Sequence, residues 1–242
     1  AMMVPTVAFA ATSSPAKVDV KSATAKSLTY NAKSQTTTIV VNGKTLTLNK
    51  DFKVVSGSLK ATKAGTYTVK IKGIGNYSGD TTVKYTVNAQ QSYKATAAAK
   101  TYNAKNQTTK VTVKYGNTVL KRGTDYKITG VTKAKNAGKY KITVKGINNY
   151  KGTKTIYYTI NKAAQKSVKV SVNASKKKVT VSGVKAKAKV TYKSGNKKVT
   201  VKNGKITVGK GVKKGTKVRI TVKVAATKNY KAYSKSIIYK VK

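Results

Sequence analysis

Polar and apolar residues alternate at every step through Thr66-Tyr67-Thr68-Val69-Lys70-Ile71-Lys72. They do so again through Lys139-Tyr140-Lys141-Ile142-Thr143-Val144-Lys145 and Lys217-Val218-Arg219-Ile220-Thr221-Val222-Lys223-Val224. A period of two puts successive side chains on opposite faces of an extended chain, so each run predicts a strand with one face buried. The residues are those that fit a pleated, half-buried surface: Val, Ile, Thr and Tyr. Tyr67, Val69 and Ile71 should face a core, as should Tyr140, Ile142 and Val144. No stretch has a helical period. Gly43, Gly57, Gly79, Gly116, Gly152, Gly195, Gly204 and Gly215 fall at the breaks between strand candidates. The chain is therefore expected to be all-β. High charge with modest hydrophobicity can mean disorder, but a disordered tail has no reason to keep a period of two.

The chain repeats itself. Leu28-Thr29-Tyr30-Asn31-Ala32-Lys33-Ser34-Gln35-Thr36-Thr37 returns as Lys100-Thr101-Tyr102-Asn103-Ala104-Lys105-Asn106-Gln107-Thr108-Thr109. Asn49-Lys50-Asp51-Phe52 returns as Gly123-Thr124-Asp125-Tyr126, and Ala64-Gly65-Thr66-Tyr67 as Ala137-Gly138-Lys139-Tyr140. Gly73-Ile74-Gly75-Asn76-Tyr77-Ser78-Gly79 returns as Gly146-Ile147-Asn148-Asn149-Tyr150-Lys151-Gly152. A third unit opens differently, with Val168-Lys169-Val170-Ser171-Val172 and Lys178-Val179-Thr180-Val181. It rejoins the pattern at Lys228-Asn229-Tyr230-Lys231 and a final strand. Units of roughly 70 to 80 residues are too long for a solenoid coil and suit a small sandwich each.

These units resemble bacterial immunoglobulin-like repeats of secreted and surface-anchored proteins of Gram-positive bacteria. The likeness rests on Tyr-Asn-Ala-Lys-x-Gln, Ala-Gly-x-Tyr and Gly-x-x-Asn-Tyr-x-Gly in the first two units. In the third it rests on Val190-Thr191-Tyr192-Lys193-Ser194-Gly195-Asn196-Lys197-Lys198-Val199 and Asn229-Tyr230. It implies three tandem small immunoglobulin-like β-sandwich domains over residues 17–92, 93–164 and 165–242, behind an N-terminal segment 1–16. It also implies, by analogy only, an adhesive or spacer module. The near absence of acids departs from the usual pattern and needs its own account.

Tyr77 and Tyr150 follow Asn at a Gly-rich corner. Their expected role is structural, a ring under the turn with its hydroxyl bonded to backbone, rather than a platform for stacking sugars or bases. Asp51 and Asp125 each precede an aromatic residue and are expected to cap turns, since Asp side chains readily bond nearby backbone N–H groups. A rarer role for these two acids is to promote a Lys–Asn crosslink, which the third unit, having no acid, could not form by that route.

Composition removes most catalytic chemistry. The 242 residues include no Cys and no His, and the only acids are Asp19, Asp51, Asp80 and Asp125. No thiolate, no neutral-pH imidazole base, no ready paired-carboxylate site and no metal cage can be assembled easily from this set. No Gly-rich phosphate loop joins a strand to a helix. The expectation is a protein that is not an enzyme, with no cofactor, no metal and no small-molecule substrate.

Charge is the main functional clue. There are 52 Lys plus Arg against 4 acids, for a net charge of +48. Across 17–92, 93–164 and 165–242 the net charge climbs from +9 to +15 to +24. Self-repulsion of this size costs stability, and solubility needs far less, usually with both signs. An anionic partner is expected. Candidates are an anionic polysaccharide or cell-wall polymer, nucleic acid bound without sequence preference, or an anionic membrane surface. Only Arg122 and Arg219 are Arg. Lys is a hydrated point charge without the flat fork that reads phosphate or base edges, so attachment should be diffuse and salt-sensitive. The residues expected to carry it are Lys185, Lys187, Lys189, Lys197, Lys198, Lys202, Lys213, Lys214 and Lys217. The alternative is a structural spacer or stalk whose charge serves wall association or solubility.

Ala8-Phe9-Ala10 ends a short apolar run and resembles the close of a secretory signal, with cleavage before Ala11. The remaining segment reads otherwise as a disordered N-terminus. The expected location is secreted or at the cell surface.

Overall fold

A computed structural model describes residue 1 and residues 3–242. Among the described residues the only helix is a single 3-10 turn, Val20–Ser22, and everything else regular is strand. The architecture is all-β, three small sandwiches in tandem. Residues 3–16 carry no strand and are exposed.

By packing, the chain divides into two compact units. One holds residues 1–93, 115–127 and 145–153; the other holds 94–114, 128–144 and 154–242. The middle repeat is thus shared: its Asn149-Tyr150 corner groups with the first repeat, and its Ala137-Gly138 loop groups with the third.

In the first sandwich a four-stranded sheet runs in the order Leu28–Thr29, Asp80–Asn88, Gly65–Gly73, Phe52–Gly57. A three-stranded sheet, Thr24–Ala25, Ile39–Val41 and Lys44–Thr45, faces it. The alternation predicted for Gly65–Gly73 holds: Val69 and Ile71 are fully buried, and Tyr67 is half-buried against their cluster. Ile39, Val41, Phe52, Val83, Tyr85 and Val87 share this core with Val20, Leu46, Leu59, Ala61 and Tyr77. The strand Phe52–Gly57 slips register between Val54 and Ser56. That bulge turns Val55 outward, where it is half exposed, and shows how an apolar residue in a strand escapes the alternation. Gly57 ends the strand at φ +80°, with Thr68 O where a Cβ would sit. Gly130 stands at the matching position of the middle repeat, and a Cβ there would lie 2.6 Å from Lys141 O.

The middle sandwich repeats the plan, with its four-stranded sheet in the order Lys100–Thr101, Thr153–Asn161, Gly138–Gly146, Tyr126–Gly130. Ile142 and Val144 are fully buried. In both sandwiches the first partner of the last strand is short and parallel: Leu28 lies opposite Val87, and Lys100 opposite Ile160.

The third sandwich pairs Lys169–Asn173, Lys178–Ser182, Lys205–Val208 and Val199–Lys202 in one sheet, and Val190–Ser194, Lys217–Val224 and Tyr233–Lys240 in the other. Val179, Val199, Ile206, Val218, Ile220, Val222 and Tyr239 form its core. Without a Tyr-Asn-Ala opening, no strand among the described residues pairs with the outer edge of Tyr233–Lys240.

Asp51 and Asp125 cap turns as expected. The Thr47 N–H donates to Asp51 Oδ2 at 2.8 Å, and the Lys121 N–H to Asp125 Oδ2 at 2.8 Å.

Candidate polyanion-binding surface

All nine lysines expected to bind an anion are exposed. They do not share one face. The strand Lys217–Val224 spans eight residues, about 23 Å from end to end, and separates them into groups.

Five gather near its start. Lys217 lies opposite Lys240 on the neighbouring strand. The Gly215 N–H donates to Val241 O at 2.7 Å, and the Val241 N–H to Thr216 O at 2.9 Å. These bonds hold the Lys213-Lys214 loop beside the last residues. At the same end the Gly195 N–H donates to Arg219 O at 2.8 Å, leading into the Lys197-Lys198 turn. The Gly209 N–H donates to Lys198 O at 2.6 Å, and the Lys198 ammonium reaches the flank of Gly211. Lys197, Lys198, Lys213, Lys214 and Lys217 therefore stand together. Three lysines not anticipated join them: Lys210, Lys240 and Lys242.

Lys185, Lys187 and Lys189 lie at the opposite end. The Ala225 N–H, just past Val224, donates to Lys189 O at 2.8 Å. Buried Gln165 fixes Lys185 from both sides, accepting from its N–H at 3.0 Å and donating to its O at 3.2 Å. Ala186 and Lys187 both have positive φ, 58° and 47°, so the chain turns sharply there and displays the Lys187 side chain.

Lys202 belongs to neither end. It faces Lys205 across an Asn203-Gly204 hairpin, and Lys205 in turn faces Lys178. Three ammonium groups stand in a row across three strands, spaced about 4.8 Å at the backbone. Lys176 and Lys177 flank the row in the adjoining turn. Like charges directly opposite destabilise a sheet. The Asn-Gly pair is a two-residue hairpin signal, so the Lys202–Lys205 pairing was open to inference; the Lys178–Lys205 pairing, between strands far apart in sequence, was not.

No acid lies in residues 165–242, so none of these ammonium groups has a carboxylate side chain within its own sandwich. Their counterions come from solution. Counterions held this way are the kind that a bound polyanion displaces, which makes such binding salt-sensitive wherever it occurs. Among the described residues no group of three or more His, Cys, Asp or Glu could hold a metal ion.

The tyrosine corners depart from expectation in one respect. Tyr150 is buried, and what its ring meets is Tyr30 of the first repeat, edge-on at 5.4 Å. Burial, and then Tyr30, push the Tyr150 phenol well above its ordinary range. The backbone-bonded corner tyrosine is instead Tyr93, which donates to Gly152 O at 2.6 Å and accepts from the Gly146 N–H at 3.0 Å.

No family model matches the chain, and no curated protein matches it. Solved structures similar to it include the N-terminal eight Ig domains of Down Syndrome Cell Adhesion Molecule isoform 1.30.30, at 13% identity over 91% of this chain and 36% of that one, with TM-score 0.32. Another is the three N-terminal domains of the bacteriophage RB49 Highly Immunogenic Outer Capsid protein, at 13% identity over 91% of this chain and 97% of that one, with TM-score 0.32. A third is Sidekick-1 immunoglobulin domains 1–5, at 12% identity over 92% of this chain and 58% of that one, with TM-score 0.25. The chain spans about a third of the first of these and over half of the last. Scores at this level carry no functional reading.

Proposed function

We propose that the chain is a non-catalytic module of the cell surface or its exterior, built as sandwiches over residues 17–92, 93–164 and 165–242, whose third sandwich binds anionic polymers. One observation carries this reading. Lys197, Lys198, Lys210, Lys213, Lys214, Lys217 and Lys240 converge at one end of a folded sandwich that contains no acid. Scattered solubilising charge has no need to converge, and an end so loaded repels itself unless something anionic neutralises it. The preferred partner is a flexible anionic polysaccharide or wall polymer, which can wind between the end cluster and the Lys178–Lys205–Lys202 row. Nucleic acid is bound as a generic polyanion, because Lys offers no base readout. An anionic lipid surface is a weaker fit, since the lysines point to several sides rather than one plane.

The test is retention on immobilised heparin, teichoic acid, duplex DNA and a neutral glucan over a graded salt series. The first three should hold the chain at low salt and release it steeply as salt rises, and the glucan should not hold it. Retention on the glucan, or retention that is flat with salt, overturns the reading.

A structural spacer is the second reading. It is favoured by the matching contacts between successive repeats, and it predicts binding to isolated cell walls without binding to soluble acidic glycans.

A further inference from the structure

The Asn-Tyr corners make the same contact twice. At the first joint, Asn149 Oδ1 accepts from the Ala64 N–H at 2.9 Å, and the Tyr150 ring meets Tyr30 edge-on at 5.4 Å and 80°. At the second, Asn229 Oδ1 accepts from the Ala137 N–H at 2.9 Å, and Tyr230 meets Tyr102 at 5.5 Å and 79°. In both, the linker threads the corner. The Gln90 N–H donates to Asn149 O and the Ala163 N–H to Asn229 O, each at 2.9 Å; the Lys151 and Lys231 N–H groups return to Gln90 O at 3.0 Å and Ala163 O at 2.8 Å. The repeated sequence motifs thus find a use the single-sandwich reading did not give them. Asn-Tyr is the inserting half of a joint; Tyr-Asn-Ala and Ala-Gly, on the preceding sandwich, are the receiving half.

We propose that this pairing is a directional latch. The Asn-Tyr corner of one sandwich docks only on a preceding sandwich that carries a Tyr-Asn-Ala turn and an Ala-Gly loop. Two further observations fit the direction. The third sandwich has no Tyr-Asn-Ala, and its loop before the long strand is Lys214-Gly215-Thr216, with Gly215 at φ +87° where Gly65 and Gly138 stand at +153° and +159°. It cannot receive. The first sandwich has a complete inserting half: the Val18 N–H donates to Asn76 O at 3.0 Å, as the linkers do at the other corners. Yet the Asn76 side chain is exposed, where Asn149 and Asn229 are half-buried. The first sandwich is left able to insert.

Amide hydrogen exchange on the full chain tests this, with unchanged circular dichroism as the check on folding. Asn149→Ala should speed exchange of the Ala64 N–H by about tenfold, and Asn229→Ala that of the Ala137 N–H, as loss of one net hydrogen bond implies. Asn76→Ala should change neither. The decisive arm reorders the chain as 93–164, 17–92, 165–242. There Asn76 should cap the Ala137 N–H, so that Asn76→Ala, silent in the natural order, becomes the substitution that speeds its exchange. With 165–242 placed first, Asn76→Ala should stay silent. The latch is overturned if Asn149→Ala and Asn229→Ala leave their target amides unchanged, or if Asn76→Ala behaves alike in all three orders. These readouts involve no anion, so they stand or fall apart from polymer binding.

Discussion

In the first sandwich the last long strand, Asp80–Asn88, has Gly65–Gly73 on one side and Leu28–Thr29 on the other. In the third, Tyr233–Lys240 has Lys217–Val224 on one side and, among the described residues, no strand on the other. The first carries +9 and the third +24. Yet the inward positions agree: Val69 and Ile71 in one, Ile220 and Val222 in the other, all fully buried. Packing constrains one face of a strand, and the outward face is free to take another composition. The difference also shows a second use for lysine. A strand edge without a hydrogen-bonded partner invites pairing with another chain, and charge on it is the usual guard. Lys235 and Lys240 stand on this edge, within a sandwich that has no acid to neutralise them.

The sharpest way to break the comparison is at the cores. Ile71→Ala and Ile220→Ala should each cost about 2–5 kcal/mol, read as shifts in denaturant midpoint. Costs that differ by more than this range would mean the two cores are not equivalent. Next in size is the edge. Lys235→Thr with Lys240→Thr should make the chain associate at high salt, seen by light scattering. Lys84→Thr, on the covered strand of the first sandwich, should not. A smaller effect belongs to the turns. Asp51→Asn weakens the bond from the Thr47 N–H and should cost about 1 kcal/mol; the third sandwich has no such acid to lose.

The smallest effect is at high pH. Tyr85, Tyr93 and Tyr158 are raised from their ordinary value of 10.0, first by burial, and Tyr150 is raised with them. The folded state favours their neutral form. Stability they contribute is complete below about pH 10, the unfolded value, and is lost as pH rises from there toward the raised folded values. Tyrosinate absorbance should therefore rise later in the folded chain than in urea.

Much of the fold was legible because alternation is local. Val69, Ile71, Ile142 and Val144 could be placed inward from their immediate neighbours, and Asp51 and Asp125 bond backbone within four residues. The candidate surface was legible as a set of exposed lysines but not as clusters. Lys240 joins Lys217, and Lys178 joins Lys205, only through strand register, which no local pattern fixes. The partner of Tyr150 was hidden for the same reason, since Tyr30 lies in another repeat. So was the sharing of the middle repeat between two compact units.

The central claim is that position, not total charge, makes the third sandwich the binding one. Two variants of the full chain separate these. One changes Lys210, Lys213, Lys214, Lys217 and Lys240 to Gln; the other changes Lys21, Lys44, Lys53, Lys60 and Lys84, all exposed in the first sandwich. Each loses five charges. The slope of log affinity for heparin against log salt counts the anionic contacts neutralised. The account predicts a clearly shallower slope and weaker binding for the first variant, and near wild-type values for the second. Equal losses in both would contradict it.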